Sequence, residues 1–144
     1  MRNRNFGRFR LSPAEQKTVI LAADIVGYSR MMDADHSGAL AALRKVRDSI
    51  VEPCIAAGGG VVVKRLGDGW LAAFDGCSDA CASALKIQGL LADEGAPALR
   101  IGIHQGLASF VDEDVFGTGV NIASRLEALA IPCGIAISDV VFAS

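Results

Sequence analysis

The sequence lacks the features of a membrane-spanning or disulfide-bonded chain. Its 144 residues contain no apolar run of about 18 residues, the length that a membrane helix needs. The first ten residues are rich in arginine and lead into a polar stretch, where a secretion signal would have an apolar core. Cysteine is scarce and no two cysteines form a C-x-x-C pair, so we expect free thiols packed as small apolar groups. These absences predict a cytoplasmic protein.

An excess of positive charge is also missing from the part of the chain that is expected to fold. The sequence has 14 lysines and arginines against 16 aspartates and glutamates, and four of the arginines fall within the first ten residues. The remaining chain is therefore acidic, which excludes the basic face of a nucleic-acid-binding module. We predict a basic, disordered tail over residues 1–16 and one domain over residues 17–144. The 51% hydrophobic content favours an apolar interface between subunits.

Hydrophobic periodicity predicts an α+β fold. Short apolar runs typical of strands alternate with segments whose apolar residues recur at helical intervals. The predicted order is strand 17–25, helix 37–57, strands 61–66 and 70–74, helix 78–92 and strand 99–108. This is the ferredoxin-like split βαβ arrangement, for which right-handed crossovers give the sheet order 4-1-3-2 with both helices on one face. An appended segment follows, with a strand at 109–111, a helix at 118–130 and a strand near 134–138.

Two aspartates meet at one end of this predicted sheet. Asp24 ends the first strand, and Asp68 lies in a Gly-Asp-Gly sequence that we interpret as a hairpin with a tight Asp-Gly turn. Because the first and third strands are neighbours in the 4-1-3-2 order, the two carboxylates come together and suit a hard divalent cation such as Mg²⁺. Two alternatives remain open: Asp68 is a turn former, and Asp24 caps the following helix.

A second polar group lies on the appended helix. Asn121 and Arg125 are four residues apart and therefore project from one helix face. The residues of an adjacent apolar stripe are expected to pack against the sheet: Ile122, Leu126 and Leu129. The Asn121 amide and the Arg125 guanidinium would then point away from the sheet-packing stripe. The alternative is a solvated helix flank on which Arg125 pairs with Glu127 or another acid.

Four segments together resemble one known family, the class III adenylate and guanylate cyclases. They are A-D-I-V-G-Y-S at 23–29, K-R-L-G-D-G at 64–69, R-I-G-I-H-Q-G at 100–106 and the stretch from Asp114 to Arg125. Their order and spacing match the family from about Thr18 to the end of the chain. The opening segment is most similar to that of bacterial members. Any one of the segments alone would be a weak signal.

The resemblance implies a metal and phosphate site. Asp24 and Asp68, with the carbonyl of Ile25, match the family's ligands for two Mg²⁺ or Mn²⁺ ions, which act on the ribose 3′-hydroxyl and on the phosphates. The triphosphate would also contact Arg100. The remaining phosphate contacts would be the backbone N–H groups that begin the next helix, those of Val26, Gly27, Tyr28 and Ser29.

The resemblance also implies how the base and the transition state are recognised. Lys64 and Asp114 match a pair that reads the purine, and a lysine there favours ATP over GTP because it can donate to adenine N1. Considered alone, Lys64 is also typical of a lysine that keeps a sheet edge soluble. Asn121 would orient the ribose, and Arg125 would stabilise charge on the α-phosphate as pyrophosphate leaves. In the family these groups meet the metal site across a homodimer interface.

The match departs from the family in two places. The family domain continues for a few strands past Ser138, where a lysine contacts the terminal phosphates, and Arg65, Gly69 and Trp70 differ from the commoner residues around the second aspartate. From the four matching segments we predict an adenylate cyclase that makes cyclic AMP as a second messenger. From the first departure we expect it to be incomplete at its C-terminus. The alternative is a cyclase-like module that binds nucleotide without turnover or pairs with a complete partner. A ferredoxin-like nucleic-acid module is disfavoured, since the first and third strands lack an aromatic set for base stacking.

Overall fold

Six strands and six helices are described by the computed structural model, which covers residues 12–144. The strands are β1 (Ser12–Ile25), β2 (Val61–Leu66), β3 (Gly69–Phe74), β4 (Leu99–Val111), β5 (Asp114–Phe116) and β6 (Ile135–Ile137). The helices are α1 (Tyr28–Ala34), α2 (His36–Val46), α3 (Glu52–Ala57), α4 (Cys77–Glu94), α5 (Thr118–Leu129) and α6 (Asp139–Ala143). A π-helical segment, Arg47–Val51, joins α2 to α3. β1 thus begins upstream of the boundary predicted at residue 17, and the rest of the predicted tail lies outside the described residues.

The strands form one sheet with the order β2-β3-β1-β4-β5, and β6 pairs in parallel with the first part of β4. Read from the β5 edge, the strands after β5 are β4, β1, β3 and β2, which is the predicted order 4-1-3-2. The pairs along this path are antiparallel. In this register Asp24 lies between Gly69 of β3 and Arg100 of β4. The end of β1 is therefore central in the sheet.

Alternate residues of β1 point into two separate cores. On one face Val19, Leu21 and Ile25 pack with residues of α2, α3 and α4, and on the other face Ile20 and Ala22 pack with residues of α5. The stripe of α4 predicted to face the core is buried: Ala80, Ala84, Ile87 and Leu91. The two helices of the predicted split βαβ unit therefore lie on one face of the sheet, and α5 covers the other.

The helix predicted over 37–57 is interrupted. Its middle adopts π-helical geometry over Arg47–Val51, and the N–H of Glu52 donates to the carbonyl of Arg47, five residues earlier. Pro53 has no N–H to continue the α-helical pattern, which explains why the hydrogen bonding slips here. The separate helix α1 was not predicted from the hydrophobic periodicity, and only the family resemblance implied a helix that begins at this point.

The β2–β3 hairpin turns on Gly67 and Asp68, one residue earlier than predicted. A tight Asp-Gly hairpin turn needs positive φ at its two central residues. Gly67, Asp68 and Gly69 all lack a positive φ, so the predicted Asp-Gly turn is wrong. Gly69 belongs to β3, where a Cβ atom would collide with the backbone carbonyl of Ala23 in β1. The missing side chain lets the start of β3 lie directly against the end of β1.

The four cysteines carry free thiols, as predicted. Cys54 and Cys77 are buried, and burial raises the pKa of the Cys54 thiol. Cys133 is exposed, which corrects the expectation that every thiol is packed as an apolar group. Over residues 12–144, no helix is long and apolar enough to cross a membrane.

Candidate active site

Asp24 and Asp68 lie close together at one end of the sheet. The N–H of Ile25 donates to the carbonyl of Asp68 (2.9 Å), which fastens the β2–β3 turn to the end of β1. Both aspartates are half-buried, and both carboxylates act electrostatically on Glu127. The structure therefore brings the two predicted acids together. Asp24 does not cap the next helix, because Gly27 is the residue that precedes α1.

Glu127 of α5 adds a third carboxyl group, which was not predicted to lie at this site. It is half-buried, and the other residues of its helix face are buried against the sheet: Val120, Ala123 and Ala130. Burial raises the pKa of Glu127 to about 7, with further contributions from a hydrogen bond to Asp24 and from the charges of Asp24 and Asp68, whereas Arg100 lowers it. The signal in the sequence was a carboxylate within a helical stripe of small apolar residues. We call Asp24, Asp68 and Glu127 the acid cluster.

The groups around Asp24 fit a divalent cation. Oδ1 of Asp24 is buried and has no hydrogen-bond partner among the described residues. The nearby cation, Arg100, uses its Nε to donate to the carbonyl of Ala130 (3.0 Å). No three His, Cys, Asp or Glu side chains in residues 12–144 converge closely enough to enclose a metal ion. An ion here would therefore take few carboxylates and complete its shell with backbone and substrate oxygens, which is the usual arrangement of Mg²⁺.

The segment after β1 departs from one of the predicted phosphate contacts. The N–H of Val26 donates to the carbonyl of Ala98 (2.9 Å) and is not free to face a triphosphate. Gly27 has a left-handed φ of 70°, which turns the chain into α1. Tyr28 packs against the core on the α4 side, and its hydroxyl is buried without a partner in the described part of the chain. Ser29 is exposed in the first turn of α1.

Lys64 and Asp114 form an ion pair, with 3.1 Å between Nζ and Oδ2. The pair joins β2 to β5, the two ends of the strand order, so the sheet curls enough to bring its edges together. Asp114 is oriented by the N–H of Val115, which donates to its Oδ1 (2.7 Å). The lysine and aspartate side chains are 41% and 28% exposed. Lys64 is thus paired, unlike a solvated edge lysine, and the pair offers a donor and an acceptor at the surface.

Asn121 and Arg125 lie on the outer face of α5, and both are exposed. The structure does not bring them to the acid cluster of the same chain. The alternative in which Arg125 pairs with Glu127 is wrong, because Glu127 lies on the sheet-facing side of α5, where its backbone meets Gly102 of β4. The prediction that the neighbouring apolar stripe packs on the sheet is also wrong: Ile122 is 36% exposed and Leu129 is 79% exposed.

Glycines set this orientation of α5. A Cβ atom at Gly102 of β4 would collide with the backbone of Ala123 and Glu127, and one at Gly119 of α5 would lie 3.0 Å from the carbonyl of Leu107. The helix backbone therefore lies directly on β4, with small residues between them. This contact turns the larger apolar residues of α5 outward.

Comparison with known proteins identifies one family. Residues 11–144 match the family model described as the adenylate and guanylate cyclase catalytic domain. The chain is 42% identical to putative adenylate cyclase 3 of Rhizobium meliloti (strain 1021), over 83% of this chain and 22% of that protein. It is 36% identical to an adenylate cyclase of Streptomyces coelicolor, over 90% of this chain and 34% of that protein. This chain therefore spans about a fifth to a third of the length of these curated relatives.

A solved structure extends the similarity to three dimensions. The crystal structure of an adenylate/guanylate cyclase/hydrolase from Silicibacter pomeroyi superposes with a TM-score of 0.84 at 38% identity, over 90% of this chain and 80% of that one. A bacterial light-regulated adenylyl cyclase shares the fold, with a TM-score of 0.81 at 23% identity, over 92% of this chain and 46% of that one.

Proposed function

Because the chain belongs to the adenylate and guanylate cyclase catalytic-domain family, we propose that it converts ATP to cyclic AMP and pyrophosphate. The observation that carries this proposal is the unpartnered, buried Oδ1 of Asp24 within the acid cluster. Carboxylate oxygens of this kind are what a divalent cation needs when it also binds phosphates. ATP as the substrate is supported by the relatives named adenylate cyclase.

Asp24 and Asp68, with the carbonyl of Ile25, would hold two Mg²⁺ or Mn²⁺ ions. Bound ions of this kind acidify the ribose 3′-hydroxyl and neutralise phosphate charge. The chain's own contribution is to fix these oxygens, since the bond from Ile25 N–H to Asp68 keeps the turn against β1. Arg100 uses its Nε for Ala130, which leaves its other N–H groups for a phosphate oxygen.

The Lys64–Asp114 pair would read the base. The ammonium group can donate to adenine N1, and the carboxylate can accept from the exocyclic amine. The pair is formed before any nucleotide arrives, and Val115 holds the acceptor in place. A base reader that is ordered in advance has little conformational entropy to lose on binding. This geometry supports ATP over GTP.

Asn121 and Arg125 would act in a homodimer. Both lie on the outer face of α5, beside the exposed side chains of Ile122 and Leu129. If a second copy docked on this apolar surface, Asn121 and Arg125 of one subunit would lie beside the acid cluster of the other subunit. Two-fold symmetry would then create two equivalent sites. Asn121 would orient the ribose, and Arg125 would stabilise the charge that grows on the α-phosphate.

The test is incubation of the protein with ATP, and separately GTP, in Mg²⁺ and in Mn²⁺, with cyclic nucleotide measured by chromatography. Cyclic AMP as the main product would support the proposal. Cyclic GMP would keep the reaction but overturn the base assignment. A folded dimer that binds ATP without product would support the second function, a nucleotide-binding module that pairs with a longer cyclase chain.

Replacement of Arg125 tests the catalytic role directly. Arg125→Ala should lower kcat by about 10³-fold or more and leave the fold intact, since an arginine supplied to a phosphoryl-transfer transition state is worth about 10³ to 10⁵ in rate. Arg44→Ala, which removes another exposed arginine, should have no effect. Mixing Arg125→Ala with Asp24→Ala should recover about a quarter of the activity, because half of the dimers are mixed and each holds one intact site. Wild-type activity in folded Arg125→Ala would refute this role.

A further inference from the structure

We propose that Gln88 of α4 is a positioning residue, which holds residues 130–134 in place so that Arg100 stays directed at the triphosphate. Residues 130–134 run from the end of α5 to the start of β6, and we call them the connecting loop. This inference rests on the proposed function, because it deepens the phosphate contact of the same reaction. Gln88 itself is half-buried and was not predicted to take part in the site.

The side-chain amide of Gln88 donates two hydrogen bonds to backbone carbonyls. Its Nε2 donates to the carbonyl of Leu99 in β4 (3.0 Å) and to the carbonyl of Gly134 in the connecting loop (3.1 Å). Because both partners are acceptors, the NH₂ end of the amide must be the end that faces them. Gln88 therefore ties the connecting loop to β4 at the residue that precedes Arg100.

The same two carbonyls also join the connecting loop to β4 through the backbone. The N–H of Cys133 donates to the carbonyl of Leu99 (2.9 Å), and the N–H of Ile101 donates to the carbonyl of Gly134 (3.2 Å). Each carbonyl oxygen thus accepts one backbone and one side-chain hydrogen bond, which uses both of its lone pairs. The glutamine amide therefore strengthens a junction whose strand residues lie on either side of Arg100.

Arg100 is held by the connecting loop from the other face of the sheet. Leu99 and Ile101 are buried in the core beneath α4, so Arg100, which lies between them, points to the opposite face. Its Nε donates to the carbonyl of Ala130 (3.0 Å), the first residue of the loop. A guanidinium is a rigid planar fork, so fixing its Nε sets the direction of its other N–H groups. The position of the loop therefore decides where those groups meet a phosphate oxygen.

The experiment measures binding of α,β-methylene-ATP with Mg²⁺ by calorimetry, because the P–C–P bridge of this compound prevents release of pyrophosphate. Gln88→Met keeps the length of the side chain but removes both donors. It should weaken binding by about fivefold or more, because the charge-assisted hydrogen bonds from Arg100 to the phosphates would be misdirected. Gln88→Glu has the same shape but only acceptors, and it should weaken binding at least as much. Lys86→Met, at an exposed position of the same helix, should have no effect.

A double-mutant cycle separates positioning from a general contribution to the fold. In an Arg100→Ala background, Gln88→Met should weaken binding by less than about twofold, because the contact that it positions is already gone. With ATP as substrate, Gln88→Met should raise KM by about the factor seen in binding, with kcat within about threefold of wild type. A side chain that only supports the fold would weaken binding equally in both backgrounds. Thermal melting checks that each variant is folded.

Three results would overturn the inference. The first is wild-type affinity in folded Gln88→Met or Gln88→Glu, and the second is an equal effect of Gln88→Met with and without Arg100. The third is wild-type affinity in folded Arg100→Ala, which would leave nothing to position. Failure of the proposed function gives a different result. If wild type binds the analogue through Arg100 but makes no cyclic nucleotide from ATP, the reaction is refuted while the binding cycle still supports the role of Gln88.

Discussion

The acid cluster and the Lys64–Asp114 pair balance their charges differently. Asp24, Asp68 and Glu127 bring three carboxyl groups near a single guanidinium, and that guanidinium has its Nε engaged with a backbone carbonyl. Lys64 and Asp114 are one cation and one anion at 3.1 Å. The first region is electrostatically incomplete without an added cation, whereas the second is neutral by itself. Crowded like charges mark a place where a ligand is needed, and an opposed pair marks a place that keeps its shape without one.

This difference also separates stability from function. Like charges held close together destabilise a fold, so the acid cluster is not explained by what it contributes to folding. A partly exposed ion pair contributes only about 0 to 1 kcal/mol, so stability does not explain the Lys64–Asp114 pair either. Stability therefore explains neither region, and we propose that both are ligand sites.

Removal of one acid should have the largest effect on activity and the least harmful effect on the fold. Asp24→Asn should lower kcat by about 10³-fold or more, since a metal ion supplies several kcal/mol of charge stabilisation and each 1.36 kcal/mol is a factor of ten in rate. The same variant should melt no lower than wild type in EDTA, because it relieves repulsion within the cluster. Cyclic AMP assays and calorimetry measure the two effects.

Asp93→Asn is the matched control, because Asp93 is an exposed aspartate of α4 outside the cluster. It should change neither activity nor melting temperature. A clear loss of stability in metal-free Asp24→Asn would contradict the comparison, since the acid cluster would then be supporting the fold.

Reversal of one charge in the opposed pair should have a smaller, selective effect. Lys64→Glu places two carboxylates together and replaces a donor to adenine N1 by acceptors that suit guanine N1–H. The ratio of kcat/KM for ATP to that for GTP should fall by about 100-fold, because a site built around hydrogen bonds discriminates strongly against a base that leaves its groups unpaired. Lys86→Glu, at an exposed position of α4, is the control. An unchanged ratio in folded Lys64→Glu would remove the pair from base recognition.

The parts of the molecule that follow from strand order could be predicted from the sequence. The alternating runs and crossover handedness predicted the sheet order, and this order alone placed Asp68 beside Asp24. The proximity of Lys64 and Asp114 came from the family resemblance, because they lie on strands at opposite ends of the sheet order and only its curl joins them.

The orientation of α5 could not be predicted from hydrophobicity. We expected its large apolar residues to face the sheet, but Gly102 and Gly119 allow the helix backbone to approach β4 so closely that only small side chains fit between them. Ile122 and Leu129 are consequently exposed. The same approach places the backbone of Glu127 against Gly102, two residues from the cross-strand neighbour of Asp24, so the missed acid and the misplaced apolar stripe have one physical cause.

The smallest predicted effect is a pH dependence of stability that comes from the acid cluster. In EDTA, the free energy of unfolding of the wild type should include a contribution that falls as pH rises from about 4.5 to about 7. The folded-state pKa of Glu127 is about 7, above its ordinary value of 4.5, mainly because of burial. Between these pH values the unfolded chain has lost the proton that the folded chain still holds, so raising the pH favours unfolding. Above pH 7 both states are ionised and the contribution levels off.

Glu127→Gln cannot titrate, so urea unfolding at pH 5 and pH 8 should show a flatter dependence than in wild type. His104 titrates in the same range and needs its own control. Burial lowers the pKa of His104 from 6.5, so its contribution is lost as pH falls, which is the opposite sign. His104→Gln should therefore make the decline between pH 5 and pH 8 steeper, whereas Glu127→Gln should reduce it. Equal slopes in wild type and Glu127→Gln would show that the carboxyl groups near Asp24 are not crowded in solution, and the contrast with the Lys64–Asp114 pair would disappear.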